Sequence, residues 1–193
     1  MIRVALMVDS RSLGSAVKRQ TRGIMRIDYG ALLRLAERGV RRTLHAGKTA
    51  WQEERRLVFV AAYLGPSENP RQNGLVTSLT GMGYTVKICE NALASRPKSN
   101  TDLIMLGDAH ALIYNNKIDV LVLATADSDF YLVLQTARIL GVQIELVSVE
   151  GQVVREFAEM ADHFVDCGQA GLLMARSAVG VDSGVMCSVG LVV

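Results

Sequence analysis

The sequence lacks the features that mark membrane, secreted or disulfide-stabilised proteins. No stretch approaches the ~18 uninterrupted apolar residues of a membrane span, and the opening MIRVALMVDS has no basic segment before its short apolar run. The three cysteines lie far apart, without CxxC spacing or neighbouring histidines. We therefore expect a cytoplasmic protein with reduced thiols and no membrane partner.

Several motifs of phosphate chemistry are also missing. The first apolar run is not followed by G-x-G-x-x-G, and no Walker A sequence is present, so a nucleotide cofactor would lack its phosphate cradle. The segment DSRSL has neither the D-x-D opening of haloacid dehalogenase-like phosphatases nor the D-x-S-x-S of integrin-type metal sites. The histidines at 45, 110 and 163 form no cluster. Other residues must therefore carry the chemistry.

The chain length and composition indicate one folded domain. At 193 residues, of which half are apolar and 21% charged, the chain can bury a full core. Short apolar runs alternate with segments of helical period. The predicted strands are Ile2–Val8, Leu57–Leu64, Tyr84–Ile88, Val120–Ala124, Val142–Val147 and His163–Asp166. The predicted helices are Ile27–Val40, Asn73–Met82, Thr101–Asn115, Phe130–Leu140 and Val153–Met160.

This alternation predicts an α/β protein with a Rossmann-like, three-layer architecture and a mainly parallel central sheet. We place the domain at residues 1–167. Residues 168–193 consist largely of Gly, Ala, Ser and Val, and only Arg176 and Asp182 are charged. We interpret this segment as a poorly ordered tail with a weak strand at Met186–Val193.

Four aspartates lie where ligands bind in such sheets, beyond the carboxyl ends of strands or at the start of a helix. Asp9 follows the first predicted strand, and Asp127 and Asp129 follow the fourth. Asp102 falls in the first turn of a predicted helix, where Ser99 has the spacing of a capping box. Each aspartate alone is explained equally well by helix capping.

The combination is harder to explain by capping, which needs only one short polar residue per helix. Carboxylates that converge on one edge of a sheet repel one another and either take up protons or recruit a cation. An all-oxygen site of three or four carboxylates suits Mg²⁺ or Mn²⁺. Such an ion could hold a phosphodiester and activate the attacking water.

The chain also contains an ordered series of segments: VDSRSL, IDYGALL, Lys98–Asp102 leading into DLIMLGDA, TADSDF and REFAEMADHFVDC. Together they resemble the NYN domain, the LabA-like branch of the PIN-like nuclease superfamily, from about Ile2 to Cys167. The resemblance implies a PIN-like fold and a metal-dependent nuclease. It assigns metal-binding and catalytic roles to Asp9, Asp102, Asp127 and Asp129.

Two positions depart from the usual family pattern. Ser12 stands where an asparagine is usual, and Thr125–Ala126 replaces Ser–Gly, although both hydroxyls can still serve the site. Asp108 matches a second acid often found on the same helix as Asp102. Six helical residues turn by ~240°, so Asp108 and Asp102 should not share a face. Ser12, Thr125 and Asp108 are therefore further candidates only.

Basic residues concentrate in the first third of the chain, where residues 1–60 are net positive and residues 61–193 net negative. One group is Lys18, Arg19, Arg22 and Arg26. A second comprises Arg34, Arg38, Arg41, Arg42, Lys48, Arg55 and Arg56. Solvated helix faces are the simpler explanation for charge runs alone, but such groups can also follow a phosphate backbone.

These features favour a divalent-metal endoribonuclease, with single-stranded or structured RNA contacted by Lys18, Arg19, Arg22, Arg41 and Arg42. The alternative is a non-catalytic RNA- or protein-binding module that keeps the fold and its acids. A phosphatase or flap-type DNA nuclease is a third hypothesis, since the same chemistry cleaves DNA and monoesters. A homo-oligomeric state stays open.

Overall fold

The computed structural model describes residues 1–39, 54–66, 70–88 and 100–176. Within these residues the strands are β1 (Ile2–Asp9), β2 (Met25–Ile27), β3 (Arg55–Leu64), β4 (Thr85–Ile88), β5 (Val120–Ala124), β6 (Gln143–Ser148), β7 (His163–Asp166) and β8 (Leu173–Ala175). The six predicted strands are all present, each within two residues of its predicted bounds. Their apolar residues fit strands that are covered on both faces.

Six strands form one sheet with strand order β4-β3-β1-β5-β6-β7, and each of its five neighbouring pairs is parallel. The chain starts in the middle with β1, builds outward through β3 and β4, and then returns to the other side of β1 with β5. Strand order therefore reverses between β1 and β5, where a ligand site is expected in this class of sheet. The fold class predicted from the sequence is confirmed.

The helices are α1 (Ser10–Gln20), α2 (Tyr29–Arg38), α3 (Pro70–Gly81), α4 (Thr101–Tyr114), α5 (Tyr131–Ile139) and α6 (Arg155–Glu159), with a 3₁₀ turn at Ser128–Phe130. Asp28 caps α2 by accepting a hydrogen bond from the Ala31 amide at 2.8 Å. The predicted start of α2 at Ile27 is too early, because Ile27 belongs to β2. Among the residues described, no helix has both the length and the apolar character needed to cross a bilayer.

Successive side chains of β1 point to opposite faces of the sheet and bury two separate cores. Val4 and Leu6 pack into the core that also contains residues of α1 and α2, such as Leu13 and Leu32. Met7 packs into the other core, which contains residues of α4 and α5. The result is a three-layer arrangement in which α1 and α4 approach the same edge of the sheet from opposite faces.

A second, small sheet was not predicted. Strand β2 pairs with β8 in antiparallel fashion, Ile27 lying opposite Leu173. The preceding Leu172 is buried in the core beside α1 and α2, and its carbonyl accepts a hydrogen bond from the Asp28 amide at 2.8 Å. The chain therefore contributes core and strand residues beyond residue 167, where we placed the end of the domain, through Ala175. The rest of the predicted tail, including Met186–Val193, lies outside the described residues.

Candidate metal centre

Asp9 is the last residue of β1 and the N-cap of α1, so its position is fixed by two elements at once. One carboxylate oxygen accepts a hydrogen bond from the Ser12 amide at 3.0 Å. The other accepts a hydrogen bond from the hydroxyl of Thr125, also at 3.0 Å. Asp9 is only 2% exposed, and these two donors hold its carboxylate in one orientation.

The loop after β5 places a second carboxylate beside the first. Thr125 is fully buried, and its hydroxyl oxygen also accepts a hydrogen bond from the Asp127 amide at 3.1 Å. Asp127 caps the 3₁₀ turn by accepting a hydrogen bond from the Asp129 amide at 2.9 Å. Thr125 thus links two predicted metal ligands, whereas the side chain of Asp129 is on the exposed side of the turn.

The third carboxylate comes from α4, which packs on the opposite face of the sheet from α1. Asp102 lies half-buried in the first turn of α4. Ser99, its predicted capping-box partner, lies outside the described residues. The N-cap of α4 is Asn100, which makes no side-chain capping hydrogen bond. Asp102 itself forms no side-chain hydrogen bond with any residue that the structure describes. Among the described residues, no capping contact therefore accounts for Asp102.

These three residues form one cluster although they come from three different elements. One oxygen each of Asp9, Asp102 and Asp127 can be chosen so that all three atoms lie within 4.8 Å of one another. Asp129 is outside this group, but its charge is close enough to raise the pKa of Asp102. The structure therefore brings together three of the four predicted ligands and places the fourth at the rim.

The electrostatics of the cluster disfavour three bare carboxylates. Burial raises the pKa of Asp9, and the hydrogen bonds from Ser12 and Thr125 oppose that shift only in part. Burial also raises the pKa of Asp102, and the charges of Asp9 and Asp127 raise it further. A divalent cation would relieve both effects, because it replaces the lost hydration and cancels the repulsion. The carboxylates of Asp9, Asp102 and Asp127 could supply oxygen ligands of the kind that Mg²⁺ and Mn²⁺ prefer.

Ser12 connects the two loops that carry the cluster. Its hydroxyl oxygen accepts a hydrogen bond from the Ala126 amide at 3.3 Å, across the gap between α1 and the loop after β5. Its own amide binds Asp9. The serine at this position thus keeps a structural role in the site, and its hydroxyl hydrogen is still available as a donor.

Asp108 lies elsewhere, as the helical rotation predicted. Its carboxylate binds the hydroxyl of Tyr63 on β3 and the ammonium group of Lys87 on β4. It is not part of the three-carboxylate group. This cluster was not predicted from the sequence, although a tyrosine and a lysine near the ends of neighbouring predicted strands were a visible signal. The contact attaches the middle of α4 to the sheet, and so helps to fix the helix that carries Asp102.

Three of the five predicted RNA-binding residues lie in the part of the chain that the structure describes. Lys18, Arg19 and Arg22 are exposed on and after α1, and Arg19 donates a hydrogen bond to Gln152 at 2.8 Å. Arg41 and Arg42 lie outside the described residues. Arg55, included in the second basic group, cannot contact phosphates, because its guanidinium is buried against Glu145 at 2.6 Å.

The sequence matches the family described as NYN domain over residues 3–173. A crystal structure of a protein of unknown function, VPA0982 from Vibrio parahaemolyticus RIMD 2210633, is similar in fold, with a TM-score of 0.73. The two chains share 19% sequence identity, and the alignment covers 90% of this chain and 96% of the other. At that identity the similarity concerns the fold alone. A search among curated proteins finds no match.

Proposed function

The chain belongs to the NYN domain family, part of the PIN-like nuclease superfamily, and we propose that it is a divalent-metal-dependent endoribonuclease. The observation that carries this proposal is the group of Asp9, Asp102 and Asp127 around one point at the carboxyl edge of the sheet. We further propose that Mg²⁺ or Mn²⁺ is the metal and that Asp129 completes the ligand set from the exposed side. RNA, single-stranded or structured, is the proposed substrate.

The surroundings of Asp102 favour a catalytic role for the carboxylate cluster over a purely structural one. Asp9 and Asp127 each cap a helical turn, so a module without activity would also have a reason to keep them. Asp102 makes no capping contact with any described residue, lies half-buried beside two other carboxylates, and has a raised pKa. A carboxylate in this position adds electrostatic repulsion when no metal is bound, and the binding of a cation beside it would offset that repulsion.

The residues of the chain have distinct tasks in this proposal. Asp9, Asp102 and Asp127 would hold the ion, and Thr125 and the Ser12 amide orient Asp9 before the ion binds. When bound, a divalent ion polarises the phosphodiester and lowers the pKa of water. Hydrolysis adds a water oxygen to phosphorus and breaks the bond to one ribose oxygen, which takes up a proton. The exposed Asp129 borders the open side, where substrate and water enter.

The test is cleavage of a labelled RNA by the purified protein with Mn²⁺, with Mg²⁺ and with EDTA. Asp127→Asn should abolish cleavage, and Asp129→Asn should reduce it less, because Asp129 lies outside the tight group. Glu156→Gln, an exposed change in the first turn of α6, is the matched control and should cleave normally. Metal-independent cleavage, or full activity of Asp127→Asn, would refute the proposal.

Thermal unfolding separates the enzyme from a non-catalytic module. Mn²⁺ should raise the Tm of the parent protein by binding the folded state, and the increment should shrink in Asp127→Asn. An equal shift in both proteins, with no cleavage by either, would instead favour an RNA- or protein-binding module that has kept the fold. Labelled DNA in parallel reactions tests the alternative of a DNA nuclease.

A further inference from the structure

The exposed face of α1 begins at the carboxylate cluster and carries only positive charge. Residues 10–27 contain five Lys or Arg residues and no Asp or Glu. Leu13, Ala16 and Val17 face the core. Arg11 and Lys18 are seven residues apart, almost two full turns, so they lie together on the opposite, exposed face of the helix.

Arg11 is placed at the rim of the carboxylate cluster. It follows Asp9 by two residues, and its charge acts on Asp102, the ligand that comes from the other face of the sheet. Its guanidinium forms neither an ion pair nor a side-chain hydrogen bond with another residue in the described part of the chain. The guanidinium of Arg11 is thus exposed and close to the carboxylates without forming an ion pair with them. It is therefore available to an incoming anion.

Charge balance makes such a cation useful. Four carboxylates and one divalent ion leave a net negative charge, which repels a phosphodiester. The planar guanidinium of Arg11 offsets that repulsion and offers paired donors that match phosphate oxygens. The amino end of α1, which points to the same edge, favours an anion as well.

We infer that Arg11 binds the phosphate group presented to the carboxylate cluster, and that Lys18 binds a phosphate further along the same RNA strand. The strand then leaves the site along α1. This inference rests on the proposed function and adds a path and a binding residue to it. The Cα atoms of Arg11 and Lys18 are separated by ~10 Å along the helix axis, so the two contacts require a substrate longer than a single phosphodiester.

The test measures RNA affinity at several salt concentrations by fluorescence anisotropy, with a 12-nucleotide single-stranded RNA. The Asp127→Asn background prevents cleavage during the titration. A plot of log affinity against log salt concentration has a negative slope, and each lost phosphate contact should make that slope shallower by about 0.7. Arg11→Gln and Lys18→Gln should each show this loss. Lys117→Gln is the matched control, because Lys117 is exposed beyond the end of α4, at the opposite edge of the sheet.

A second experiment measures the cleavage of a dinucleotide, which contains one phosphodiester. The variants in this experiment keep Asp127. Arg11→Gln should reduce kcat/KM by about tenfold or more. Lys18→Gln should reduce it much less, because a dinucleotide bound at Arg11 does not extend to Lys18, and the control Lys117→Gln should leave it unchanged. Unchanged salt slopes for both α1 variants, or an equal loss for Lys117→Gln, would overturn the path. If the parent protein neither bound nor cleaved RNA, the proposed function itself would fail, and the path with it.

Discussion

Thr125 donates a hydrogen bond to Asp9 at 3.0 Å although the two residues are 116 positions apart in the chain. The bond crosses from β5 to β1 at the point where strand order reverses. The same hydroxyl oxygen accepts a hydrogen bond from the Asp127 amide. One buried oxygen therefore fixes the positions of Asp9 and Asp127 relative to each other.

We expect Thr125→Val to weaken metal binding without removing a ligand. Valine keeps the shape of threonine but leaves the Asp127 amide and one Asp9 oxygen without their partner, at a cost of about 1–3 kcal/mol of stability. The Mn²⁺-induced rise in Tm should also shrink. Thr125→Ser retains the hydroxyl and is the control. A Thr125→Val protein with the parent's metal response would show that Asp9 is oriented by other contacts.

The raised pKa of Asp102 predicts a pH-dependent effect on stability in the absence of metal. A carboxyl group whose pKa is raised by folding stabilises the folded state fully below its unfolded-state pKa of about 4. That contribution is lost as the pH rises through the folded-state pKa. Asp102→Asn should therefore raise the Tm at pH 7 in EDTA and change it little near pH 3.

Adding Mn²⁺ at pH 7 should reverse the order, because the parent protein binds the ion more tightly than Asp102→Asn does. Scanning calorimetry at both pH values, with and without Mn²⁺, gives the comparison. A variant that is less stable than the parent in EDTA at pH 7 would mean that Asp102 has a structural role after all.

Neutralising one partner of the buried ion pair between Arg55 and Glu145 should destabilise the protein more than neutralising one partner of an exposed ion pair. Two nitrogens of the Arg55 guanidinium donate to the two carboxylate oxygens, and the side chains are 9% and 1% exposed. Glu145→Gln leaves a buried cation without its counterion and should cost about 3 kcal/mol in urea unfolding. Glu159→Gln breaks the exposed pair with Arg155 and should have little effect. Equal changes for the two variants would contradict this ranking.

The end of the domain can be located by truncation. A chain that ends at residue 176 keeps Leu172 in the core and the pairing of β8 with β2. A chain that ends at residue 168 loses both, together with the hydrogen bond from the Asp28 amide to the Leu172 carbonyl. The shorter protein should unfold at a clearly lower temperature than the longer one. Equal Tm values would instead support a domain boundary at residue 167.

The sequence predicted the six-stranded sheet because its strands are nearly continuous apolar runs. It did not predict β2 and β8, since three-residue strands such as Met25–Ile27 show no period of their own. Their pairing depends on a contact between segments almost 150 residues apart. Local patterns contain no information about such a partner.

The site was predictable to a similar extent. Asp9 and Asp127 were identified from their places after strands, and the neighbouring positions of β1 and β5 account for their meeting. Asp102 required the family resemblance, because a first-turn aspartate is common and Asp102 does not directly follow a strand. Arg11 was not singled out, since an exposed arginine becomes notable only when the fold places it beside carboxylates.

The three carboxylates differ in what their loss would cost, and that difference constrains how the site can evolve. Replacing Asp9 removes a helix cap and a hydrogen bond from Thr125 together with a proposed metal ligand, so selection for stability alone protects it. Asp102 has no such second role among the described residues. A lineage released from selection for activity should therefore lose Asp102 first. In related chains, an acid at the position of Asp102 is accordingly a better indicator of retained activity than one at the position of Asp9.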